Sequence, residues 1–174
     1  MSENLSVRNK GGRDSQYEDF VRARKLYWMT EAAKLDRTTT PPKLGEINLD
    51  GDDSEFIVAA DGPNGIVAIF EDSADVGWFY LYDSPKRRIL RCTHVYNRSN
   101  VQVNAAGVDV LWSDSGETSG VAIWAEMRAF LGVSNGIEIR SPILSAETPG
   151  ISAGQWPAGF EYALLRRSEN SPQS

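Results

Sequence analysis

His94 and Cys92 are the sole histidine and cysteine of the chain, two residues apart in RCTHVYN. On a strand, residues i and i+2 share a face, so the two side chains lie within reach of one another. Histidine is the natural proton shuttle near neutral pH, and a Cys–His pair is one route to a nucleophile. That route also needs an orienting third group and an oxyanion site, and no glycine-flanked nucleophile elbow accompanies the pair. The competing reading is a half-buried strand histidine. One His and one Cys cannot build a structural zinc site without carboxylates. The run NLDGDDSE places Asn48, Asp50 and Asp52 at the alternate spacing of a calcium loop. Such a loop needs Gly at its sixth position and an acid at its twelfth, where this chain has Asp53 and Ala59. GxGxxG, P-loop and GxSxG motifs are all missing. No cofactor and no metal is expected, and no motif names a reaction.

Charge distribution gives a different kind of clue. Between Lys43 and Lys86 the chain has no lysine or arginine but ten carboxylates: Glu46, Asp50, Asp52, Asp53, Glu55, Asp61, Glu71, Asp72, Asp75 and Asp83. The formal charges before, within and after this block are +3, −10 and +1, which give the net −6. So one-sided a block sets up a negative field if its members converge in the fold, repelling polyanions and drawing basic partners. Within it, FEDSADVGWFYLYD puts Glu71, Asp72 and Asp75 around a hairpin turn and Trp78 directly after. Strand alternation sends Trp78, Tyr80 and Tyr82 to one side and Phe79 and Leu81 to the other. Either both faces of that strand are covered, or an aromatic face is displayed for binding; carboxylates beside exposed aromatics would suit a basic protein. Basic clusters are confined to Arg22/Arg24/Lys25, Lys86/Arg87/Arg88/Arg91 and Arg166/Arg167, so nucleic-acid binding is not expected.

The elements that must position these groups follow from periodicity and punctuation. Residues 1–13 read as a disordered leader and 14–167 as one α+β domain. A helix is predicted over 14–36: Ser15 and Glu18 have capping-box spacing, and Tyr17, Phe20, Val21, Tyr27 and Trp28 fall near one face. Arg24 interrupts that face, with a stem able to cover apolar surface. TTTPPK ends the helix and opens a Pro-containing connector over 38–43. An antiparallel sheet is expected over 44–140, with strands at 54–60, 65–71, 76–82, 88–96, 108–112, 119–125, 127–133 and 136–140 and a weak first strand at 44–49. DGPNG, EDSAD, DSP, SDSGETS and SNG supply the turns. A loop and a short helix at 157–167 follow, then a tail over 168–174. No stretch approaches the ~18–20 apolar residues of a membrane span, and the N-terminus lacks a signal-peptide core. With a lone cysteine, the expected place is the cytoplasm.

The stretch from about 67 to 133 resembles an uncharacterised family of small bacterial proteins, the domain of unknown function 2251. The matching positions are Phe70, Glu71, Asp72, Gly77, Trp78, Phe79, Tyr80, Tyr96, Asn97, Trp112 and Ser113, in "FED…GWFY", "YN" and "WS". The family's Asp-Gly step is interrupted here by Ser115, between Asp114 and Gly116. The resemblance implies a bacterial origin and a shared fold, with no activity attached.

Together these readings predict a curved antiparallel sheet of six to eight strands with an N-terminal helix and a short C-terminal helix. The expected function is non-enzymatic binding of a basic protein, as by a bacterial immunity protein that neutralises a toxin. Glu71, Asp72, Asp75 and Trp78 are the expected contact residues, with Asp50, Asp52 and Asp53 as a second acidic patch. The alternative is a small hydrolase or ligand-binding barrel using His94 or a carboxylate pair.

Overall fold

The computed structural model describes residues 4–5, 15–31, 55–73, 76–97, 103–124, 126–134, 138–140 and 159–161. In chain order these form β1 (Asn4–Leu5), α1 (Ser15–Glu31), β2 (Glu55–Asp61), β3 (Ile66–Ser73), β4 (Val76–Asp83), β5 (Arg88–Asn97), β6 (Val108–Trp112), β7 (Thr118–Ile123), β8 (Glu126–Gly132) and β9 (Glu138–Arg140). Every strand pairing is antiparallel between sequence neighbours. Short connections make this the expected outcome, since tight turns join antiparallel strands and parallel ones need long crossovers.

The expectation of one curved sheet is corrected. The strands divide into a five-stranded sheet, β1-β2-β3-β4-β5, and a four-stranded sheet, β6-β7-β8-β9. The break falls between Asn97 and Val108, where the meander leaves the first sheet and starts the second. Alternation along the strands shows how the sheets pack. Phe56, Val58, Ala68, Phe70, Phe79 and Leu81 of the first sheet form one apolar cluster with Val108, Val110, Val121, Ile123, Ala129 and Leu131 of the second. The intervening residues of the first sheet, Ile57, Val67, Ile69, Trp78, Tyr80 and Tyr82, pack instead with Tyr17, Phe20, Ala23 and Trp28 of α1. The result is three layers: helix, five-stranded sheet, four-stranded sheet. β3 and β4 occupy the middle of the stack and are buried at every position, which explains their near-continuous apolar sequences.

Asn4–Leu5, inside the segment read as a disordered leader, pairs with Ala59 and Ala60 at the edge of β2. The weak strand at 44–49, residues 32–36 of the expected helix and the 38–43 connector lie outside the described residues. So does most of the helix expected over 157–167; no C-terminal helix is among the described elements, and Phe160 is buried there.

Candidate functional site

The family-motif residues sit at the centre of the stack, and the pleat explains their roles. Phe70 points between the sheets, so Glu71 points toward α1 and Asp72 again between the sheets. Glu71 meets Arg24: Nε lies 3.0 and 2.9 Å from the two carboxylate oxygens, and Nη2 is 2.8 Å from Oε1. Tyr80 OH donates to Glu71 Oε2 at 2.7 Å and accepts from Trp28 Nε1 at 3.0 Å. Arg24 is 1% exposed and Glu71 0%. Burial acts to lower the Arg24 pKa, but the Glu71 charge and hydrogen bonds outweigh it and hold the pKa above its ordinary value. Burial first, and then the Glu71 charge, push the Tyr80 phenol well above its ordinary value. A charge pair this deep gains from mutual attraction only if its remaining bonding capacity is met, and Tyr80 helps to meet it. The network fixes where α1 lies on the sheet.

On the inter-sheet side, Asp72 accepts a hydrogen bond from Tyr96 OH. Gly77 makes room for that ring, because a Cβ there would come within 2.5 Å of Tyr96 Cε1. Trp112 Nε1 donates to the Ala60 carbonyl at 3.0 Å, and its ring lies against Gly62, tying the second sheet to the first. The family-motif positions Phe70, Glu71, Asp72, Gly77, Trp78, Tyr80, Tyr96 and Trp112 are therefore occupied with holding the layers together.

Three of the seven expected contact residues lie in the interior. Glu71, Asp72 and Trp78 are buried and cannot meet a partner while the fold is intact. Both faces of β4 are covered, by α1 on one side and by the second sheet on the other. Asp75, Asp50, Asp52 and Asp53 lie outside the described residues. The described carboxylates of the acidic block do not converge: Glu71, Asp72 and Asp83 are buried, and Glu55 and Asp61 stand at opposite ends of β2. His94 and Cys92 do share a strand face, toward α1, with the His94 ring 5.1 Å from that of Trp78. Among the described residues, no cluster of His, Cys, Asp and Glu could hold a metal.

A polar recess lies elsewhere in the described part of the molecule. It is about 310 Å³ and opens between the β2–β3 and β6–β7 turns, lined by Asp61, Pro63, Trp112, Ser113, Asp114 and Ser115 among others. The turns that frame it are tightly specified. Ser113 Oγ accepts from the Thr118 amide at 3.1 Å, Gly116 N–H donates to the Ser113 carbonyl at 2.9 Å, and Gly116 takes φ +75°. The Asp114 amide donates to the Gly159 carbonyl at 2.6 Å. Asp61 is half-buried at the wall, while Asp114 and Glu117 are exposed. Nearby on the β4–β5 turn, Arg87 is paired with Asp19 at 3.6 Å and Arg88 with Asp83 at 4.0 Å. Two acidic residues, Asp61 and Asp114, and two hydroxyl-bearing ones, Ser113 and Ser115, are thus part of the lining of the recess. It was not found from sequence, although the "WS" motif residues Trp112 and Ser113 do lead into it.

A helix laid over one face of two stacked antiparallel sheets, with an acidic hollow at one end, defines the class: a small α+β sandwich. Residues 52–137 match the family model described as "Uncharacterized protein conserved in bacteria (DUF2251)". The resemblance seen over 67–133 is therefore shown, and over a longer stretch. α1 lies outside the matched segment, although its Arg24 completes the Glu71 network inside it. No curated protein and no solved structure matches the chain. No described helix is long and apolar enough to cross a membrane.

Proposed function

We propose that this protein is a non-enzymatic binding module for a basic protein, and that the recess between Asp61 and Asp114 receives a lysine or arginine side chain of that partner. The observation that carries the reading is the recess itself, a hollow lined by Asp61 at the end of β2 and Asp114 on the β6–β7 turn. Glu117 is exposed on the same β6–β7 turn, and the neighbouring, exposed Arg87 and Arg88 form ion pairs with Asp19 and Asp83. Charged rims of this kind steer encounter and fix register more than they add affinity. The net charge of −6 favours the same partners. In a bacterial setting, the finer reading is an immunity protein that blocks a basic toxin by covering it. The hollow's size also favours a second reading, binding of a small cationic ligand.

The test is capture from an extract of the protein's own cells at low salt, with wild type and Asp61→Asn/Asp114→Asn in parallel. The proposal expects one basic protein held stoichiometrically by wild type, released by salt, and lost from the double variant. Equal capture by both proteins contradicts it. A small cation that shifts the melting temperature of wild type alone, with no protein captured, supports the second reading instead.

A further inference from the structure

The turn between β2 and β3, Gly62–Pro63–Asn64–Gly65, restricts two of its residue types by shape alone. Asn64 has φ +59° and ψ +26°, in the left-handed region that asparagine, aspartate and glycine tolerate. Gly65 follows at φ +75°, and a Cβ there would come within 2.6 Å of Pro85 Cδ. The positive φ and the proline together exclude a side chain at this position. The Ile66 amide closes the turn by donating to the Pro63 carbonyl, and the Gly62 amide donates to the Ile66 carbonyl at 2.8 Å. Pro63, Asn64 and Gly65 are exposed. The fold thus sets an asparagine directly before a glycine at a solvent-facing bend. With no Cβ beside it, the glycine nitrogen is the least hindered backbone nucleophile that an asparagine side chain can meet.

We infer that Asn64 is a site of spontaneous deamidation, which turns its side-chain amide into a carboxylate. The Gly65 nitrogen, once hydroxide has taken its proton, attacks Asn64 Cγ. A C–N bond forms to that carbon as its amide nitrogen leaves as ammonia, protonated by solvent, and a succinimide ring results. Water then adds to one ring carbonyl and breaks its bond to the Gly65 nitrogen. Opening at the backbone carbonyl leaves isoaspartate, and opening at the side-chain carbonyl leaves aspartate. Solvent water is the only co-reactant. Ring closure requires Asn64 to leave ψ +26°, so the reaction passes through local opening of the turn.

The two products fit differently. Aspartate accepts the left-handed conformation, so the turn survives with a new negative charge beside Pro63, in the lining of the recess. Isoaspartate lengthens the main chain by one carbon inside the loop that the Ile66–Pro63 hydrogen bond closes, and disrupts that closure. The modification stands apart from the function proposed above; only its effect on the recess rests on that reading.

The test is a time course of the full chain at neutral and mildly alkaline pH, quenched in acid and cleaved before aspartate, which releases Asp61–Glu71. Asn64 is the sole amide side chain of that peptide, which separates it from the other Asn-Gly step, Asn135–Gly136, outside the described residues. The expected result is loss of ammonia and gain of water in this peptide, faster at the higher pH and faster again in urea. Product that is cleaved once more before position 64 is aspartate, and product that resists is isoaspartate. Asn64→Gly should abolish the change without lowering the urea midpoint. An unaltered Asp61–Glu71 peptide from the folded protein, while the chain in urea converts, overturns the inference. A rate independent of pH overturns the mechanism. Asn64→Asp should also bind a nona-arginine peptide about 1.5- to 5-fold more tightly than wild type at low salt. Equal binding by the two contradicts the link to the recess and not the modification.

Discussion

At the scale of single residues, the Arg24–Glu71 pair decides how the layers meet, and it is the contact most exposed to test. Removing one partner leaves a buried charge without compensation, so Glu71→Ala should cost about 3–5 kcal/mol in urea unfolding. Arg24→Met/Glu71→Met should cost less than the sum of its single replacements, with a coupling of roughly 0.5–3 kcal/mol; simple additivity would mean that the pair does not act as a unit. Tyr80 adds a pH signature. Its folded-state pKa lies well above the ordinary 10.0, so the folded protein keeps a proton that the unfolded chain releases. That contribution is fully present below about pH 10 and declines as pH rises beyond it. Tyr82, raised chiefly by burial, has the same sign. Tyr80→Phe should therefore flatten the alkaline fall in stability, and identical slopes for the two proteins would contradict the assignment. The pair left a trace in the sequence. Arg24 interrupts the apolar face of a helix, and Glu71 continues an apolar strand, so each charge falls in a core phase. Nothing local says that the two meet, because 47 residues separate them.

Among the elements, the strands were the most legible, because Val, Ile and aromatic runs bounded by Gly, Pro, Asn and Asp leave little choice of segment. Strand limits follow directly from that chemistry: the expected 76–82 is observed as Val76–Asp83, and 88–96 as Arg88–Asn97. The division into two sheets was not legible. A meander can remain in one sheet or step into a second with the same turns, and only packing across Phe70, Phe79, Val110 and Val121 decides. That packing depends on glycines whose role is spatial. Gly77→Ala would drive a methyl into the Tyr96 ring, which its hydrogen bond to Asp72 holds in place. The expected cost is about 1–3 kcal/mol, read as a lower urea midpoint. On the outer face of α1, by contrast, Leu26 and Met29 are exposed, and Leu26→Ala or Met29→Ala should stay within about 0.5 kcal/mol of wild type. A large loss there would mean that the helix has a further docking face.

For the whole molecule, the acidic block was the clearest feature of the sequence and the least reliable guide to a surface. Sequence proximity put Glu71, Asp72 and Trp78 together, and the fold does keep them close, but in the interior, where they join the layers. Charge counts carry no information about which way a pleat turns a side chain. The recess joins Asp61 to Asp114, 53 positions further along, so no local pattern could have paired them. Amide shifts in a two-dimensional spectrum of the labelled protein, titrated at low salt with a nona-arginine peptide as a stand-in for a basic partner, locate the binding surface directly. Shifts at Asp61–Gly62 and Ser113–Gly116, with little change at Glu71, Asp72 and Trp78, are the predicted result. Shifts concentrated along β3 and β4 instead, with the recess silent, would contradict the account.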